Sequence, residues 1–285
     1  MLEAIESLEA LKGRYDAVLC DVWGVVHDGR RSFAPACAAL ARFRAAGGLV
    51  LLLTNAPKPR GPLPGQLDRL GVPREAWDGI VTSGDATRML LAERAPGPMH
   101  RIGPPKDEAL WEGLGLAEAP ISQAAFLAVS GLREELNETP ESYAEELAAA
   151  RARGLTMICA NPDIVVRFGE RLIYCAGALA EVYAAMGGEV LMGGKPHAPI
   201  YALARRELAQ LAGREIPSER ILAIGDGPAT DLAGANREGL DALFVAAGIH
   251  GESLRGANGA VDVARAEAAL REAGVAARYV LGALC

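Results

Sequence analysis

Aromatic side chains are scarce in this 285-residue sequence, at 5% of the chain, and there are only five cysteines. Cys20, Cys37, Cys159, Cys175 and Cys285 stand far apart, and no Cys-x-x-Cys pair occurs. That spacing argues against a disulfide-stapled scaffold or a structural zinc site and points to free thiols in a reducing compartment. No long run of lysine and arginine occurs, and the net charge is −7. Nucleic acid is therefore not the expected partner. No apolar stretch approaches the ~18 residues that suggest a membrane span. Before Lys12 the N-terminus carries Glu3, Glu6 and Glu9 and no basic residue, which reads as a short amphipathic helix over 3–12 and not as a signal peptide. A cytoplasmic protein without membrane contact is expected. No internal repeat is visible.

What is present is apolar and well punctuated. Hydrophobic residues make up 51% of the chain and charged residues 23%, a balance that buries a large core. The stretch from Asp16 to Gly29 organises the rest. An apolar run, Ala17-Val18-Leu19-Cys20, ends abruptly at Asp21, and Gly24 follows three residues later. Such a run reads as a buried strand of a parallel sheet. Pro35 to Ala46 reads as a helix stopped by Gly47-Gly48, and Leu49 to Leu53 as a second buried strand ending in Thr54-Asn55. Strand, helix and strand in this order form a right-handed βαβ unit. From about Arg101 the texture changes: short strands and alanine-rich helices form a second α/β unit of roughly ninety residues, inserted in the first. The original texture returns near Gly193, with a strand over Arg220 to Ile224 that runs into Gly225-Asp226-Gly227.

Asp21, Thr54-Asn55, Lys195 and Asp226 with Asp231 share one property. Each sits at the end of a buried strand or the start of a helix, and in a doubly wound sheet such positions converge on one crevice. A carboxylate, a hydroxyl, a lysine and a distant acidic pair form a kit for phosphoryl transfer through an enzyme carboxylate. A phosphate ester is anionic, so a carboxylate attacks it only once charge is neutralised. Magnesium does this with oxygen ligands, which Asp21, the Trp23 carbonyl and Asp226 would supply. Thr54 would bind the transferring oxygens, Lys195 would add a point charge, and Asp231 would orient water or Lys195 from behind. Asn55 either shapes its loop or contacts substrate, and Asn161 either contacts substrate or forms an Asn-Pro turn.

This order and spacing resemble the haloacid dehalogenase superfamily. The Asp21 strand is similar to its first motif, Leu53-Thr54-Asn55 to its second, and Gly194-Lys195-Pro196 to its third. Gly225-Asp226-Gly227-Pro228-Ala229-Thr230-Asp231 is similar to its fourth. The insertion looks like the cap of the class IIA branch, the NagD-like and 4-nitrophenylphosphatase-like proteins. Thr82-Ser83-Gly84, Ala160-Asn161-Pro162-Asp163 and Gly177-Ala178-Leu179 also fit that branch. The resemblance implies an α/β fold: a Rossmann-like core of parallel sheet with helices on both faces, over residues 1–97 and 190–285. An inserted α/β cap, mobile or pairing two copies as a homodimer, would occupy residues 98–189. It further implies magnesium-dependent phosphatase activity on a small phosphorylated metabolite.

One position departs from that family. Its phosphatases usually carry a second Asp two residues after the nucleophile as general acid and base, and here that residue is Trp23. An indole exchanges no proton at neutral pH. Three readings stay open: leaving groups that need no protonation, a proton donor such as His27, Asp28 or a cap residue, or a phosphate-metabolite binding protein with a vestigial site. Trp23 itself either covers the leaving group or fills core space.

Overall fold

The computed structural model describes residues 2–168, 171–246, 254 and 260–285. The chain divides into two compact units. One is formed by Met1–Thr54, Gly61–Val81 and Tyr201–Cys285, the other by Asn55–Arg60 and Thr82–Ile200. Residues 98–189 all lie in the second unit, which also takes in the helix Ser83–Ala92.

The first unit is built on a seven-stranded sheet. Its order is Glu3–Ala4, Tyr279–Leu281, Asp241–Val245, Ile221–Gly225, Ala17–Cys20, Leu49–Thr54 and Gly79–Thr82. Every pair from Glu3–Ala4 across to Leu49–Thr54 is parallel. All residues of Ala17–Cys20 and of Ile221–Gly225 are buried, as expected of central strands covered on both faces. Val18, Cys20, Leu222 and Ile224 point into one core with Ala36, Cys37, Leu40 and Phe43 of the helix Ala34–Ala45. Helices lie on both faces of the sheet.

The helix expected over 3–12 does not form. Glu3–Ala4 is an edge strand paired with Tyr279–Val280, and Leu8–Leu11 makes a single 3-10 turn that buries Leu8 and Leu11. Those two leucines, three apart, produced the helical periodicity. The sheet edge contributed by the far end of the chain overrode it.

The second unit has its own parallel sheet, ordered Val190–Met192, Thr156–Cys159, Phe126–Val129, Met99–Ile102. One face packs Leu127, Val129, Met157 and Cys159 against Leu147 of the helix Ala144–Ala152 and Leu179 and Tyr183 of the helix Ala176–Ala185. The other packs Phe126, Ala128 and Ile158 against Leu91, Leu110 and Trp111. An antiparallel hairpin, Val165–Phe168 with Arg171–Tyr174, completes the unit. No disulfide joins any of the five cysteines. Among the described residues, no helix is long and apolar enough to cross a membrane.

This unit buries an unexpected acid. Asp107, in a Pro-Pro-Lys-Asp-Glu run that reads as surface, is 2% exposed, and neither carboxyl oxygen has a hydrogen-bond partner of good geometry. Burial pushes its carboxyl above the usual range, and the Ser130 hydroxyl alongside offsets this only in part. A carboxyl that holds its proton more tightly when folded contributes stability fully below its unfolded value, about 3.9, and loses it as pH rises through the folded value. Asp107→Asn keeps the shape without the charge. It is expected to raise Tm at pH 8 by about 2–4 °C over the parent, with the two melting curves converging toward pH 4. A separation independent of pH would contradict this origin.

Candidate active site

Sheet register brings two distant acids together. Cys20 pairs with Ile224, and the Asp21 N–H donates to the Ile224 carbonyl at 2.8 Å. Asp21 is the first residue beyond one strand and Asp226 the first beyond its neighbour, so the two emerge side by side. Asp231 arrives on the wide helical turn Pro228–Leu232, where its Oδ2 accepts the Gly227 N–H at 3.1 Å. Single turns of this π type recur at functional sites. All three side chains are buried, and a carboxylate oxygen from each lies within 4.8 Å of the others.

Gly24 makes this approach possible in two ways. Its φ of +88° lies in the left-handed region, where a Cβ is costly. A Cβ there would also sit 2.5 Å from Asp226 Oδ2. The glycine was legible in the sequence as a turn residue; its contact with Asp226 was not, because the partner lies two hundred residues away.

Like charges this close repel one another in a buried site. Three oxygen donors on one spot are also the ligand chemistry of a hard divalent cation, and magnesium is typically held by one or two carboxylates with water and substrate phosphate. The donor set fits such an ion. Thr54, the last residue of its strand, is buried in the first unit as well.

Trp23 is 36% exposed, although Val22, Val25, Val26 and His27 around it are buried. His27 meets the indole edge-on, with ring centroids 5.4 Å apart at 75°. Burial pulls the His27 pKa below 6.5 against the weaker pull of Asp28, and its Nδ1 accepts the Gly29 N–H at 3.0 Å. His27 is thus a neutral imidazole at neutral pH. Asp28 accepts backbone N–H groups from Arg31 and Arg30, both at 2.9 Å, which hold its carboxyl below the usual range.

Lys195, Asn55 and Asn161 belong to the second unit. Asn55 clamps the lysine backbone: Oδ1 accepts the Lys195 N–H at 2.7 Å, and Nδ2 donates to the Lys195 carbonyl at 3.2 Å. Nδ2 also donates to Asp163 Oδ1 at 2.9 Å. Both amide hydrogens of Asn55 are thereby engaged within the unit. Gly194 lies against this clamp, since a Cβ there would meet Asn55 Oδ1 at 2.5 Å and Ser83 Oγ at 2.6 Å. Asn161 Oδ1 accepts the Asp163 N–H at 3.1 Å, an Asx turn, and its side chain is buried. The part Asp163 plays in holding Asn55 had no local signal beyond the Asn-Pro-Asp turn that it closes.

The structure therefore brings Asp21, Asp226 and Asp231 together in one unit, and Asn55, Asp163 and the Lys195 backbone together in the other. The family described as haloacid dehalogenase-like hydrolase matches residues 18–117, and a HAD-hydrolase-like family matches residues 192–270. A solved haloacid dehalogenase-like hydrolase from Brucella suis 1330 is 45% identical, with a TM-score of 0.87 over 99% of this chain and 100% of that one. A p-nitrophenyl phosphatase from Archaeoglobus fulgidus is 20% identical, with a TM-score of 0.69 over 94% and 96% of the two chains. A glycerol phosphate phosphatase from Mycobacterium tuberculosis, in complex with calcium, is 24% identical, with a TM-score of 0.63 over 84% and 68%. No curated protein matches the chain.

Proposed function

The chain belongs to the haloacid dehalogenase-like hydrolases, and from that premise we propose that it is a magnesium-dependent phosphohydrolase of a small phosphorylated metabolite. The observation that carries this reading is the buried triplet of Asp21, Asp226 and Asp231, with oxygens within 4.8 Å of one another. Magnesium, held by Asp21, Asp226 and the Trp23 carbonyl, would neutralise phosphoryl charge. Asp21 is the nucleophile: its oxygen bonds to phosphorus as the bond to the leaving oxygen breaks, giving an aspartyl phosphate. Water then attacks that phosphorus, the bond to Asp21 breaks, and inorganic phosphate leaves. Asp231 braces the Asp226 loop through the Gly227 N–H. Lys195 adds positive charge to the phosphoryl group, Thr54 binds its oxygens, and Asn55 sets the lysine through its backbone. Asn161 holds the Asp163 turn on which Asn55 leans. The phosphatases named among the similar structures support the reaction class.

The residue at position 23 has no proton to give, which bears on substrate choice. A general acid typically contributes 10²–10⁴-fold. Acetyl phosphate and 4-nitrophenyl phosphate, whose leaving groups depart as stable anions, are expected to exceed sugar phosphates in kcat/KM by about that factor. Equal rates would count against the missing acid. The reading as a whole is tested by a panel of phosphorylated metabolites with and without magnesium. Magnesium-dependent release of phosphate supports it. Stabilisation by a phosphate compound without release would overturn it in favour of a binding protein.

A further inference from the structure

The second unit holds a polar pair that none of the described residues satisfies. Asp107 is buried with neither carboxyl oxygen in a hydrogen bond of good geometry, and the Ser130 hydroxyl beside it is buried and equally unpartnered. The chain leaves room for that hydroxyl, since a Cβ on Gly103 would collide with the Ser130 Oγ. Buried polar groups are nearly always paired, so three acceptor oxygens on one spot call for a donor from elsewhere. The neighbouring cations do not supply it. Lys106 is engaged by Glu135 in an ion pair. Lys58 acts on Asp107 only through space. Its main chain lies against Gly84, and its carbonyl accepts the Thr82 hydroxyl at 2.6 Å.

The sheet gives this pair a position that suggests its use. The parallel strands Val190–Met192, Thr156–Cys159, Phe126–Val129 and Met99–Ile102 all end on one edge. In open parallel sheets that carboxyl edge is where ligands bind. Lys195 follows the first strand, Asn161 and Asp163 the second, Ser130 the third, and Gly103 and Asp107 the fourth. The lysine assigned to the phosphoryl group and the unpartnered pair therefore stand at the two ends of one row. Three strand spacings separate them, roughly 14 Å less the reach of the lysine. The pair is closed over in this structure. Lys106 precedes Asp107, and Glu135 Oε1 lies 3.8 Å from where a Cβ of Gly131, the residue after Ser130, would be. The Lys106–Glu135 ion pair thus spans the two groups. Both of its side chains are partly exposed, and parting a surface ion pair costs little.

We infer that Asp107 and Ser130 receive an ammonium group of the substrate, which makes the substrate class an amine-bearing phosphorylated metabolite. This deepens the phosphohydrolase reading and rests on it. An ammonium brings three N–H donors to three oxygens, and its charge is the partner a buried carboxylate lacks. A substrate hydroxyl would bring one donor and no charge.

The test compares 6-aminohexyl phosphate with hexyl phosphate, which differ only in the ammonium. Dissociation constants are measured with magnesium in Asp21→Asn, which blocks turnover, and in Asp21→Asn/Asp107→Asn. A hydrogen bond to a charged group is worth about tenfold to a hundredfold in affinity. The amine is expected to bind about ten- to a hundredfold more tightly than hexyl phosphate in Asp21→Asn, and this preference should fall to within about threefold of unity in the double variant. A merely structural Asp107 would alter both constants alike and leave their ratio standing. An unchanged ratio in the double variant, or no preference in Asp21→Asn, overturns the ammonium site while leaving phosphate binding intact. If neither phosphate binds, the phosphohydrolase reading fails instead, and the site is read with hexylamine alone. A rise in Tm of the parent that Asp107→Asn lacks supports it, and equal rises or none overturn it.

Discussion

Asp21→Asn is expected to lower kcat for phosphate release by on the order of 10⁴-fold or more, as removal of a covalent nucleophile does elsewhere, while the protein stays folded. A carboxamide nitrogen or oxygen does not form the acyl-phosphate bond, so no intermediate accumulates and the two-step route closes. Asp21→Glu is expected to fare little better, because one added methylene displaces the attacking oxygen by more than the ~1 Å that already costs about 10²-fold. Stability separates this chemistry from collapse of the sheet. Asp21 lies within 4.8 Å of two other carboxylates, and the Asn variant is expected to show a cooperative melting transition like the parent's, as an isosteric change requires. Rapid-quench labelling with radioactive substrate in the parent and the Asn variant is the direct measurement. A phosphoenzyme that forms equally in both would move the nucleophile elsewhere.

Asp226→Asn should cost on the order of 10³-fold in kcat, the several kcal/mol of charge stabilisation that a divalent ion supplies. It should also abolish the rise in Tm that magnesium gives the parent by mass action. Chelation of the parent should reproduce both effects, and added magnesium should reverse them. Gly24→Ala offers a test that leaves every carboxylate in place. Its Cβ would come 2.5 Å from Asp226 Oδ2 at a φ of +88°, so either the loop or the carboxylate must move. A loss of magnesium response close to that of Asp226→Asn is the expected result. A Gly24→Ala protein with the parent's magnesium response would show that Asp226 does not need its present position to hold the ion.

Much of this site could be read along the chain. Ala17–Cys20 and Ile221–Gly225 are continuous apolar runs because strands buried on both faces have no side left for polar residues. An acid directly after such a run stands out, which is how Asp21 and Asp226 were found. Other features were not visible. Glu3–Ala4 looked helical from the spacing of Leu8 and Leu11, and only the strand Tyr279–Leu281, at the other end of the chain, shows it to be a sheet edge. The Asn55 amide grips the backbone of a lysine 140 positions on. The Asp107 carboxyl stands between Lys106 and Glu108, and nothing in that run marks it as buried.

These outcomes divide along a physical line. Periodicity and punctuation report how one segment divides its side chains between core and water, so they located strands, their ends and the acids placed there. Which strand lies beside which, and in what register, is a competition among all of them for the same edges, and no segment carries the result. That Cys20 pairs with Ile224, and that Gly24 consequently has room for the Asp226 carboxylate and for nothing more, was decided only when the whole sheet closed.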